Sequence, residues 1–195
     1  IKLQVAALSL EKLNQIASID KDTFLKIQPG FGSLKGETVD STAKNGIPTI
    51  GHYLHKLFVV SDNDAFNRLY EYLGSDYINS RMWELGFPST RIRHRLSLSL
   101  TERENKFANA IQFYNDSGLI YEEPAREMGL DLDSPFEDFF LGDSHYVLGE
   151  KVEGPMDFSK KNFMSIPDQH KFLIQLIFPT ENNFKNKLSL SESDR

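Results

Sequence analysis

Leu3, Ala6, Ala7, Leu10 and Leu13 recur at steps of three and four, and Ile16 follows one turn later. That stripe predicts a core-facing helix over residues 1–16. Residues 28–48 are broken by Pro29-Gly30, Gly32, Gly36, Asn45-Gly46 and Pro48, so they read as connecting chain with a short strand near Thr38-Val39. Thr49 then caps a helix whose inner positions are Ile50, Tyr53, Leu54, Leu57 and Phe58. After a break at Val59-Val60-Ser61-Asp62-Asn63, a second helix carries Phe66, Leu69, Tyr70 and Leu73 and stops at Gly74. Ser75 is expected to cap a third, with Ile78, Met82 and Leu85 inward, ended by Gly86 and Pro88.

Residues 97–160 are less periodic. Phe107, Ile111 and Tyr114 suggest a short helix, and Phe136, Phe139, Phe140, Tyr146 and Phe158 are expected to pin this excursion to a core. Ser165-Ile166-Pro167-Asp168 opens another helix with Phe172, Leu173, Leu176 and Ile177 on its inner face, and Pro179 ends it. Ser189-Leu190-Ser191-Glu192 has the form of a capping box, as though a further helix began there. The pattern predicts a mainly α chain with at most one small strand pair. It reads as an internal segment of a longer protein, truncated at both ends, so that the lack of a leader says nothing of export.

Composition changes this picture little. The 195 residues carry a formal charge of −6, with 39% hydrophobic and 26% charged positions, as in a globular domain. The acidic balance argues against nucleic acid as a partner. No apolar run approaches the ~20 residues of a membrane helix. With no cysteine, thiolate metal sites and cysteine nucleophiles are excluded. His52 and His55 could share a helix face, but no third ligand follows them, and no metal or other cofactor is expected. His94, His145 and His170 stand alone, Glu122-Glu123 and Asp131/Asp133 lie in loops, and Arg91-Ile92-Arg93-His94-Arg95 reads as a solvated loop or a partner for nearby carboxylates.

Ser61-Asp62-Asn63 stands out by its context, a short break between two amphipathic helices that can aim a hydroxyl and an amide into a cleft. Here the chain resembles the penicillin-recognising serine hydrolases, the class A β-lactamases and penicillin-binding proteins, whose signature is S-x-x-K, then S-D-N, then K-T-G. Lys2 through Leu13 resembles the helix that begins with the nucleophile motif, with Lys2 as the lysine of S-x-x-K. The serine would then stand two positions before Ile1. Ser89-Thr90-Arg91-Ile92-Arg93 resembles the segment leading into the omega loop, and Met164-Ser165-Ile166-Pro167-Asp168 a later helix start of that family.

The resemblance implies a helical domain of the β-lactamase/transpeptidase-like fold, with a 97–160 insertion in place of a standard omega loop. The companion α/β domain would be largely absent, and the K-T-G strand with it. It implies catalytic roles for Lys2 and Ser61, a substrate-binding role for Asn63 and a structural role for Asp62. The substrate would be a β-lactam or a cell-wall peptide, met in the periplasm or outside the cell. In class A enzymes a glutamate of the omega loop activates the deacylating water. Here the corresponding stretch reads Arg93-His94-Arg95-Leu96-Ser97, and Glu102 or Glu104 could serve only if the loop were rearranged. The alternative is a non-catalytic helical binding module in which Ser61-Asp62-Asn63 is only a helix cap and residues 107–163 form the working surface.

Overall fold

A computed structural model describes residues 1–32, 34–133, 139–147, 149–180 and 184–195. In chain order the elements are α1 (Lys2–Leu13), β1 (Phe24–Ile27), α2 (Ile50–Val59), α3 (Asn63–Leu73), α4 (Ser75–Glu84) and α5 (Glu102–Asn105). The strands β2 (Phe107–Ala108), β3 (Ile111–Asn115), β4 (Gly118–Glu123), β5 (Arg126–Glu127), β6 (Phe140–Leu141), β7 (Ser144–Val147), β8 (Glu150–Glu153) and β9 (Met156–Asp157) follow, and then α6 (Ile166–Ile177). Helix accounts for 35% and strand for 19% of the described residues. The chain is therefore mixed α/β, and the expectation of a mainly α, all-α domain is wrong.

The excess strand comes from the middle of the chain. Ile111 and Phe113 are buried while Gln112 and Tyr114 are half-buried, a period of two and not of three or four. Residues 107–114 thus form strands where a short helix is expected. β3 is the centre of an antiparallel sheet in the order β1-β3-β4, with Leu25 opposite Phe113 and Phe113 opposite Tyr121. β2 pairs with β5, β6 with β9 and β7 with β8. The strand expected near Thr38-Val39 is a single bridge one residue earlier, Glu37 to Ile27.

The core is built on α1 and α3. Val5, Leu8, Phe66, Leu69, Tyr70 and Tyr72 belong to the same buried cluster as the inward side of the sheet, Leu25, Ile27, Ile111 and Phe113. Tyr72 meets Phe113 edge-on at 5.9 Å, and Lys12 pairs with Glu123 at 3.0 Å, so helix and sheet are joined by apolar and ionic contacts. Burying each such large side chain contributes ~1.5–3 kcal/mol.

Thr49 caps α2 through His52 N, and Ser165 caps α6 through Asp168 N. Ser75 does not cap α4. Gly74, at φ +77°, is the capping position and Ser75 is buried. The residue 189–192 capping box does not form; a short 3-10 turn, Glu192–Asp194, starts after Ser191. On α6, Leu173 and Ile177 face solvent, and the inner face is Asp168, Phe172 and Gln175. Phe139 packs on Phe163, whereas Phe140 and Tyr146 are exposed. Phe136 lies outside the described residues.

Candidate active site

α1 and α3 are the two most enclosed helices, and their first turns converge. Lys2 is the first residue of α1. Its ammonium reaches the break between α2 and α3, donating to the Ser61 hydroxyl at 3.1 Å, to the Ser61 carbonyl and to the Asp62 carbonyl at 3.3 Å. Three oxygens thus meet the three donors of the amine. The partners lie 59 and 60 residues away along the chain.

Local backbone chemistry makes this convergence. Ser61 has φ +54°, a left-handed conformation uncommon for a residue with a Cβ. Such residues cluster at functional sites, where surrounding structure holds them. This one turns the chain so that its hydroxyl and its carbonyl both face Lys2. Asp62 is extended, and its carboxylate accepts from Ala65 N at 2.9 Å as the N-cap of α3. Its own N–H donates to the Lys56 carbonyl at 3.3 Å, closing the end of α2 onto the start of α3.

Asn63 points its amide to a different wall, donating from Nδ2 to the Ser97 hydroxyl at 2.8 Å. Ser97 is exposed and left-handed too, at φ +56°. Asn67, one turn along α3, holds the preceding residue in a two-way clamp. Its Nδ2 donates to Leu96 O at 2.9 Å, and Leu96 N donates to its Oδ1 at 2.7 Å. Neither Asn67 nor Ser97 is among the residues that the sequence pattern points to. The signal available was two asparagines at i and i+4, which must share a helix face.

The structure brings Lys2, Ser61 and Asp62 together and joins Asn63 to Ser97, with no hydrogen bond between Asn63 and Lys2. Neither glutamate of the 102–104 stretch is at the crevice. Glu104 closes a capping box with Thr101, and Glu102 pairs with Lys160 at 3.2 Å. Arg95 is buried against Glu71 at 3.4 Å, and the Arg91 guanidinium stacks on Trp83.

A model of the beta-lactamase enzyme family matches residues 1–114. The match takes in Lys2, the Ser61-Asp62-Asn63 turn, Asn67 and the Leu96-Ser97 loop. The chain belongs to the beta-lactamase enzyme family. In general terms it is a β-lactamase-like hydrolase, of a family that acts on small molecules. No curated protein and no solved structure matches the chain. No helix among the described residues is long and apolar enough to cross a membrane.

Away from the crevice, the His52 ring meets the Asp40 carboxylate at 2.9 Å, beside Thr42 and Lys56. Burial pushes the Asp40 carboxyl up. Hydrogen bonds from the hydroxyl and backbone N–H of Thr42, and from His52 and Lys56, outweigh it and hold the group well below the usual carboxylate range. The folded state therefore favours the charged form. It gains stability that is complete above the ordinary value of 3.8 and lost as pH falls through the folded value. Asp40→Asn should lower the urea midpoint at pH 7, and the gap to the unaltered protein should narrow by pH 3. An equal gap at both pH values would contradict this.

Proposed function

We propose that the full-length protein carries out acyl transfer through a serine, on β-lactam or cell-wall-peptide amides, with Lys2, Ser61 and Asn63 in the crevice. The observation that carries this reading is the Lys2 amine on the Ser61 hydroxyl at 3.1 Å, across 59 residues of chain. The nucleophile would be the serine of S-x-x-K, two positions before Ile1 and one helical turn from Lys2, hence on the same face.

The geometry suits proton traffic. A neutral amine has two hydrogens and one lone pair. The Ser61 and Asp62 carbonyls can take the two hydrogens, while the lone pair stays free for a hydroxyl proton. In the acylation step the serine O–H gives its proton to Lys2 Nζ. The oxygen bonds to the carbonyl carbon, the C–N bond breaks, and the leaving nitrogen takes the Ser61 hydroxyl proton. Ser61 is then reprotonated by the Lys2 ammonium. Asn63 would hold the substrate's amide, Asp62 would keep the turn in shape, and a K-T-G strand elsewhere in the protein would complete the oxyanion side. The family's chemistry is met outside the cytoplasmic membrane, and the same location is proposed here.

Deacylation is where the chain departs from class A enzymes. Among the described residues the loop positions bonded to the crevice asparagines are Leu96 and Ser97, and neither is a carboxylate able to activate water. The acyl-enzyme should therefore persist. Full-length protein mixed with a penicillin should gain the mass of the ring-opened drug and keep it for many minutes, and Glu102→Gln or Glu104→Gln should leave its lifetime unchanged. Fast turnover with no retained adduct would contradict this route. A non-catalytic module is the second reading, favoured by Asp62 capping Ala65 as an ordinary helix start; it predicts no adduct.

A further inference from the structure

Beside the crevice lies a cavity of about 620 Å³, within the ~300–1,000 Å³ usual for small-molecule sites. Ser97 belongs to both: its hydroxyl receives the Asn63 amide, and it lines the cavity together with Leu98 and Leu100. Neither Lys2 nor Ser61 borders it. The cavity therefore adjoins the Asn63 side of the site, where the acyl portion of a substrate would project.

Its walls carry five cationic side chains against three carboxylates. Two of the five cations are already paired, Arg95 with Glu71 outside the wall and Lys160 with Glu102 within it. Arg93 differs. Among the described residues no carboxylate lies within 4.0 Å of its guanidinium. Nη1 donates to the Ser159 carbonyl, whereas Nε and Nη2 are buried with no hydrogen-bond partner. Glu102, Asp131 and Asp133 face it only from longer range. A guanidinium stays charged, so this half-buried charge, without an ion-pair partner among the described residues, projects its field into the cavity it lines. Lys161, exposed on the same wall, also has no ion pair among the described residues.

We infer that this cavity is a subsite for an anionic, carboxylate-bearing extension on the acyl side of the substrate, recognised by Arg93 and Lys161 and reached past Ser97. The inference rests on the acyl-transfer reading and adds a substrate class to it. Its test is the acylation rate of full-length protein by two penicillins that share a ring system. One has a free carboxylate on its acyl side chain, and the other has that carboxylate converted to the primary amide. The carboxylate compound should acylate about tenfold faster, a preference within the range of a single well-placed charge contact. Arg93→Gln and Lys161→Gln should each shrink the preference and leave the rate with the amide compound unchanged. Equal rates in the unaltered protein, or an undiminished preference in both variants, would overturn the subsite. If neither compound forms an adduct, the acyl-transfer reading fails instead. Calorimetry with glutarate then decides the subsite: binding weakened by Lys161→Gln supports it, and no binding overturns it.

Discussion

Lys2→Met in the full-length protein should slow acylation by a penicillin by about 10³-fold, the usual contribution of a positioned acid–base group. Ser61→Ala should cost about 10²-fold on the same principle, since the leaving nitrogen would then draw its proton from water or directly from lysine. The two side chains serve one proton path, so the double variant should be little slower than Lys2→Met alone. Folding does not confound the comparison. Lys2 is half-buried and bonds three oxygens at the edge of the molecule, so its loss should cost ~1–2 kcal/mol. Near-native melting together with lost labelling is the expected pair of results. Labelling of Lys2→Met at the unaltered rate would mean that the amine only stitches the turn to α1.

The largest stability effect should come from a carboxylate far from the crevice. Glu11 of α1 is fully buried and accepts from Arg81 of α4 at 2.9 Å on each oxygen, and one of those oxygens also accepts from Ser189 N at 2.7 Å. One side chain thus joins α1, α4 and the C-terminal segment. Glu11→Ala leaves Arg81 without its main partner and the Ser189 N–H unsatisfied. It should cost about 3–5 kcal/mol, as breaking a buried ion pair from one side does. Set against a total stability of ~5–15 kcal/mol, that is a large fraction. Glu84→Ala, which removes only the exposed arm of the Arg81 network, should cost under ~1 kcal/mol. Urea midpoints for the two variants measure the contrast. Similar small losses in both would show that Arg81 finds other partners.

What could be read from the sequence was what local chemistry decides. Thr49 and Ser165 cap their helices because a hydroxyl one position before the first turn needs no help from distant chain. The pairing of Lys2 with Ser61 is a distant contact, yet it was legible because two motif elements stood at a recognisable separation. The remainder depends on partners that no local window contains. Ile111-Gln112-Phe113-Tyr114 alternates, but spaced aromatics mimic a helical step when Phe107 is counted with them. Leu173 and Ile177 are more apolar than Asp168 and Gln175, yet the polar pair lies inside. Asp168 accepts from Ser89, and Gln175 bonds the 186–188 segment, so both are satisfied where apolar residues would have left N–H groups unpaired. Ser97 joins the site through the Asn63 amide and through the Asn67 clamp on its neighbour Leu96, contacts that no local window contains.

The most direct measurement is a peptide map of the full-length protein after reaction with a penicillin. One adduct is expected, on a serine two positions before Ile1 and therefore one turn from the Lys2 amine. An adduct on any other residue, Ser61 included, or no adduct at all, would contradict that expectation.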